Sequence, residues 1–178
     1  MTITTSNCLS LLLTISMVFI ISHATQPTSS TKLYQNICKS LGNNETEQSC
    51  LKLIEVHPEI TKAKDNFTFC KLFAKLVAVE KAIEAQNYLK EMMKKYPSSE
   101  AIKECATNGY EQVVSELQGV VIEDPEMEDM VIELAGDGIR ICETFLAKEK
   151  IVNVSSIHKL NNDIMFLTHI LMGPARNA

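Results

Sequence analysis

The sequence predicts an all-α protein: an antiparallel four-helix bundle preceded by a short N-terminal helical hairpin, with two disulfides. Three observations carry this. Apolar residues recur at steps of three and four, and no period-two pattern is sustained. Cys38 and Cys50 are equidistant from Asn44, inside the polar turn Gly42-Asn43-Asn44-Glu45, while Cys105 and Cys142 are equidistant from the Glu123-Asp124 junction just before Pro125. Residues equidistant from the turn of an antiparallel helical hairpin lie side by side, so each pair is placed for a disulfide. The third observation is the start of the chain. Residues 8–21 are almost wholly apolar, and Ser22-His23-Ala24 puts small residues at −3 and −1 of a cut after Ala24. The pattern is that of a secretion signal, whose compartment permits disulfides.

The expected organisation is a signal peptide over 1–24, then a leader, helical hairpin and linker over 25–64, then the bundle over 65–178. Residues 25–178 form one domain. In order, a short helix is predicted over about 32–41 and a second over about 47–56, ending at Pro58, with residues 44–46 connecting them. The first bundle helix spans roughly 65–95, with the stripe Leu72, Leu76, Val79, Ile83. Tyr96-Pro97-Ser98-Ser99 breaks it, and Ser99 is an N-cap for the second, over roughly 100–122. Its stripe is Ile102, Ala106, Gly109, Val113, Leu117, Val120. Pro125 stands near the first helical position of the third, where a missing N–H costs nothing. Its stripe is Met127, Val131, Leu134, Gly138, Ile141, Phe145. Ser155 or Ser156 caps the fourth, whose stripe is Ile157, Leu160, Ile164, Leu167, Leu171. Short loops make neighbours antiparallel.

Of the six cysteines, Cys8 leaves with the signal, and five remain. Cys38–Cys50 and Cys105–Cys142 are the expected bridges, worth about 3 and about 4 kcal/mol through loop closure. Cys70 has no equidistant partner across the Pro97 turn and reads as a buried thiol beside Phe69 and Phe73. The rival pairing is Cys50–Cys70, which would strand Cys38. Three N-glycosylation candidates, Asn44, Asn66 and Asn153, fall in predicted turns or helix starts.

Composition and motifs exclude more than they assert. The net charge of −5 disfavours nucleic acid as a partner. No later segment is long and apolar enough to span a bilayer, so no membrane role is expected after signal cleavage. His57, His158 and His169 are scattered, with no metal-ligand spacing, no Gly-rich phosphate loop and no nucleophile motif. No metal, cofactor or catalytic residue is expected, and a binding role is favoured over an enzymatic one. The densest acidic stretch is Glu123, Asp124, Glu126, Glu128, Asp129 and Glu133. It reads as charge favoured at a helix start, and secondarily as a partner-binding patch.

Across the mature chain the pattern resembles the plant invertase and pectin methylesterase inhibitor family. The resemblance is carried by Ile37-Cys38-Lys39-Ser40 with Cys50, then Pro58, then Ala101-Ile102-Lys103-Glu104-Cys105, then Ile141-Cys142-Glu143-Thr144-Phe145, then Leu160-x-Asn162 before an apolar tail. It implies a secreted inhibitor that blocks the active cleft of an acid invertase or a pectin methylesterase as a 1:1 protein complex. The implied location is the apoplast, with the vacuole as a second destination. In the invertase-directed branch a Pro-Lys-Phe motif between the second and third bundle helices enters the enzyme. Here that place reads Asp124-Pro125-Glu126-Met127, followed by Met130. By resemblance these five residues bind the target. Proline is kept, whereas Lys is replaced by Glu and Phe by Met. The Ala-Ala-Leu-Thr-like segment of the pectin methylesterase branch is absent, so the frame is more like the invertase branch. The alternative from another class is a secreted four-helix signalling protein or small-ligand carrier, which an internal apolar cavity or a specific receptor would favour.

Overall fold

A computed structural model describes residues 32–122, 125–149 and 154–176. Residues 1–31, where the signal peptide and leader are expected, and Glu123, Asp124 and Asn153 lie outside the described residues. The described residues are helical with no strand, and two disulfides brace them: Cys38–Cys50 with Cα atoms 5.5 Å apart, and Cys105–Cys142 with Cα atoms 4.3 Å apart. Cys70 is a free, buried thiol, so the Cys50–Cys70 alternative falls.

The N-terminal hairpin pairs α1 (Leu33–Ser40) with α2 (Asn44–Glu55). Its turn is shorter than expected. Asn43 is the N-cap, with its side-chain oxygen accepting from the Thr46 N–H at 2.9 Å, so residues 44–46 are the first turn of α2 and not a connection. Gly42 carries the positive φ, +115°, that the tight turn needs. The equidistance rule extends beyond the cysteines: Tyr34 and Ile54 stand in the same register and both are buried. After Pro58 the linker forms one short helix, α3 (Pro58–Thr61).

The first bundle helix begins at Asp65, whose carboxylate accepts from the Thr68 N–H at 2.7 Å. That bond holds the Asp65 carboxyl below its ordinary range. It runs as α4 (Asn66–Phe73), through a π-helical turn (Ala74–Ala78), into α5 (Val79–Lys95). The second is α6 (Glu100–Glu104), a π-helical turn (Cys105–Gly109) and α7 (Tyr110–Ile122). Ser99 caps it as expected, accepting from the Ile102 N–H, and Glu149 accepts from the Ala101 N–H at 2.8 Å. Two orphan donors of that helix start are thereby satisfied. A 3₁₀ turn (Pro125–Met127) leads into the third, α8 (Glu128–Lys148). The fourth, α9 (Ser155–Ala175), has Val154 at its N-cap with no side-chain cap, so Ser155 and Ser156 lie inside the helix. Each bundle helix packs on its chain neighbours, and α9 closes the ring against α4 and α5. The hairpin leans on the bundle where α1 meets α9.

The core corrects two of the four stripes. The second helix buries every residue expected of it, from Ile102 to Val120. In the first helix Ile83 is exposed and Leu72, Leu76 and Val79 are half-buried. The buried line there is Phe69, Phe73, Val77, Ala82, Ala85, Leu89. Midway along it the buried alanines Ala74, Ala78, Ala82 and Ala85 let neighbouring helices come close, and Leu72, Leu76 and Val79 flank them. In the third helix Leu134, Ile141 and Phe145 are half-buried, and the seam is Glu128, Val131, Ala135, Gly138, Cys142, Leu146.

The rotational setting of α8 has a definite cause. A Cβ placed on Gly138 would lie 2.5 Å from the Gly109 carbonyl oxygen, and one on Gly109 would lie 2.8 Å from the Gly138 carbonyl oxygen. The two backbones touch there, one turn from the Cys105–Cys142 bridge. Only glycine fits both positions. Counting back from Cys142 by four, three, four and three gives Gly138, Ala135, Val131 and Glu128, all buried. The bridge and the glycine contact together fix which face of α8 points inward.

Candidate functional site

The same constraint turns the start of α8 inside out relative to the expected stripe. Glu128 goes in; Met127 and Met130 come out. Met127 is 41% exposed and Met130 45%, so neither is a core residue. At the end of the preceding helix Ile122 is 76% exposed. Glu126 and Asp129 are exposed between them and make no ion pair among the described residues. The tip of the α7–α8 hairpin therefore offers large apolar side chains interleaved with free carboxylates. Of the expected target-binding residues, Glu126, Met127 and Met130 converge on this tip; Pro125 opens its 3₁₀ turn; Asp124 lies outside the described residues.

The tip has a base that periodicity did not announce. Glu128 is 1% exposed, and neither carboxylate oxygen has a hydrogen-bond partner among the described residues. Burial raises its pKa from 4.5 to about 7, while the Cys70 thiol and the Lys71 ammonium act in the opposite direction. The Cys70 Sγ–H donates to the Leu171 carbonyl at 3.6 Å, and burial pushes that thiol far above its ordinary value. Within the acidic stretch Glu128 thus differs in kind: the exposed carboxylates are solvated at a helix start, and Glu128 belongs to the core.

A second polar group was equally hidden in the sequence. The Tyr110 hydroxyl donates to Asn161 Oδ1 at 2.8 Å, the Asn161 amide donates to Glu143 Oε1 at 2.6 Å, and His158 Nδ1 stands 2.8 Å from Glu143 Oε2. The chain runs from the fully buried Tyr110 to half-exposed Glu143 and His158, beside the Cys105–Cys142 bridge. Burial raises the Tyr110 phenol well above its usual value, with Glu143 and Asp163 adding to the effect. His158 is therefore partnered by a carboxylate on the neighbouring helix. This network ties α9 to α7 and α8. It brings together residues up to 51 positions apart, which no local pattern could reveal.

Of the glycosylation candidates, Asn44 is exposed and Asn66 half-buried, both in the first turn of a helix, and Asn153 lies outside the described residues. No helix among the described residues is long and apolar enough to cross a membrane, and no group of three or more His, Cys, Asp or Glu among them could hold a metal ion. No protein-family model, curated protein or solved structure matches the chain.

Proposed function

We propose that this protein is a secreted, non-enzymatic inhibitor that docks the tip of its α7–α8 hairpin in the active cleft of a plant carbohydrate-active enzyme, an acid invertase or a pectin methylesterase. The observation that carries the reading is the outward presentation of Ile122, Met127 and Met130 at the tip of a hairpin whose two helices are pinned together by the Gly109–Gly138 contact and the Cys105–Cys142 bridge. Large apolar side chains already exposed to water gain by burial when they dock against a partner. Two disulfides with a buried spare thiol suit an oxidising compartment. The family resemblance of the sequence supplies the target class, with the frame around the tip leaning to invertase.

The test is an inhibition panel of acid invertases and pectin methylesterases with the mature protein, read together with complex stoichiometry. A 1:1 complex that blocks one class is expected; no inhibition of either class discards the proposal. The tip is probed by Glu126→Lys with Met127→Phe. Both side chains are exposed, so stability should change by less than about 1 kcal/mol. An invertase site working through carboxylates repels Glu126, so the double variant should inhibit invertase more strongly. Unchanged or weaker potency in a variant that melts like the parent would remove the tip as determinant and favour pectin methylesterase as the target.

A further inference from the structure

The chain has seventeen Lys and Arg residues, and only Arg140 and Arg176 are arginines. Arg140 is on α8 and Arg176 follows the end of α9, yet both line one cleft between those helices, of about 220 Å³. His169 stands on the same rim. Gly136 and Thr168 are buried at its floor. Asp137 accepts from Arg140 through Nε at 2.9 Å and through Nη2, which engages one edge of the guanidinium. The Nη1 group reaches over Gly136, 3.6 Å from where a Cβ there would sit. The Arg176 guanidinium and the His169 ring have no ion-pair or hydrogen-bond partner among the described residues. Glu133 is also on the rim and pairs with neither arginine.

We propose that this cleft binds a small oxyanion, held by the guanidinium groups of Arg140 and Arg176 with the His169 imidazole as a further donor. Arginine, unlike lysine, offers a planar fork that matches carboxylate, phosphate or sulfate geometry. An acidic protein that uses lysine everywhere else sets both its forks on one cleft and leaves one of them unpaired. The cleft is larger than one such group, so it also admits part of the molecule that carries it. Glu133 opposes a bare anion and accepts a hydroxyl, so it selects for an oxyanion that carries one. The site shares no residue with the α7–α8 tip and does not depend on the inhibitor reading.

Titration of the ¹⁵N-labelled mature protein with D-glucuronate and, separately, with inorganic sulfate tests this. The expected result is a saturable shift of the Gly136, Thr168 and His169 amide resonances with at least one probe. Glucuronate should bind the tighter, its hydroxyls donating to Glu133, and the two arms separate a sugar acid from an inorganic anion as the source. Arg176→Gln, at an exposed position, should weaken the shift about tenfold. Lys90→Gln removes one positive charge from exposed surface on α5 and should change nothing. Shifts that rise linearly without saturating for both probes, or saturation untouched by Arg176→Gln, would overturn the proposal.

Discussion

Replacing Glu128 by Gln tests whether the buried acid at the base of the tip governs stability. The carboxyl titrates near 4.5 in an unfolded chain and at about 7 in the fold. At about 1.4 kcal/mol per pH unit the difference is about 3 kcal/mol. The folded state keeps the proton where the unfolded state has lost it. Its contribution is therefore complete below pH 4.5, falls as pH rises towards about 7, and changes no further above that. Glu128→Gln keeps the shape and removes the charge, so it should be nearly neutral at pH 4 and stabilise by up to about 3 kcal/mol at pH 8. In a chain of this size that corresponds to a Tm gain of roughly 6–12 °C. The assay is urea unfolding of both proteins at several pH values. The quantity to compare is the difference between them, because other groups titrate alike in both. A difference independent of pH, or one that grows towards acid, would refute the reasoning.

Gly138→Ala should destabilise by about 1–3 kcal/mol or more, because the added methyl meets the Gly109 backbone oxygen and Val113, neither of which can move without shifting a helix; thermal melts would read it. Tyr110→Phe leaves the Asn161 oxygen without its buried donor and should cost about 1–3 kcal/mol in denaturant titrations. Replacing both cysteines of Cys105–Cys142 by serine should cost about 4 kcal/mol, against about 3 for Cys38–Cys50, since the loops span 37 and 12 residues. A larger loss from the hairpin bridge would contradict loop-closure entropy as the dominant effect.

The fold was legible wherever pairing rules acted. Equidistance about two turns predicted both bridges, and Ile102 to Val120 were read correctly because apolar bulk and the buried seam coincide there. They part company in the first and third helices. Ala82, Ala85 and Ala135 hold the seam on account of smallness, while bulky Ile83 and Met127 are left outside. Phase taken from Cys142 would have found the inward face of α8, because a bridge is a stronger constraint than size. Glu128 would then have been recognised as buried. The Tyr110–Asn161–Glu143–His158 chain could not have been found that way. Its members share no spacing, and they meet only when α9 closes on α7 and α8.

The buried thiol of Cys70 bears on the order of events during synthesis. The atom that accepts its hydrogen bond lies 101 residues later, on the last helix. At about 5–20 residues per second, the interval between the two is on the order of 5–20 s. Disulfide exchange takes seconds to hours, so it competes with that interval. Until α9 arrives, Cys70 is one more nucleophile among cysteines awaiting partners. Closure of the core takes the sulfur out of reach of oxidant: α9 supplies its hydrogen-bond acceptor, and burial together with Glu128 on α8 raises its pKa, so that the thiolate is lost as well. The last helix to emerge thereby completes the surroundings that withdraw Cys70 from mispairing.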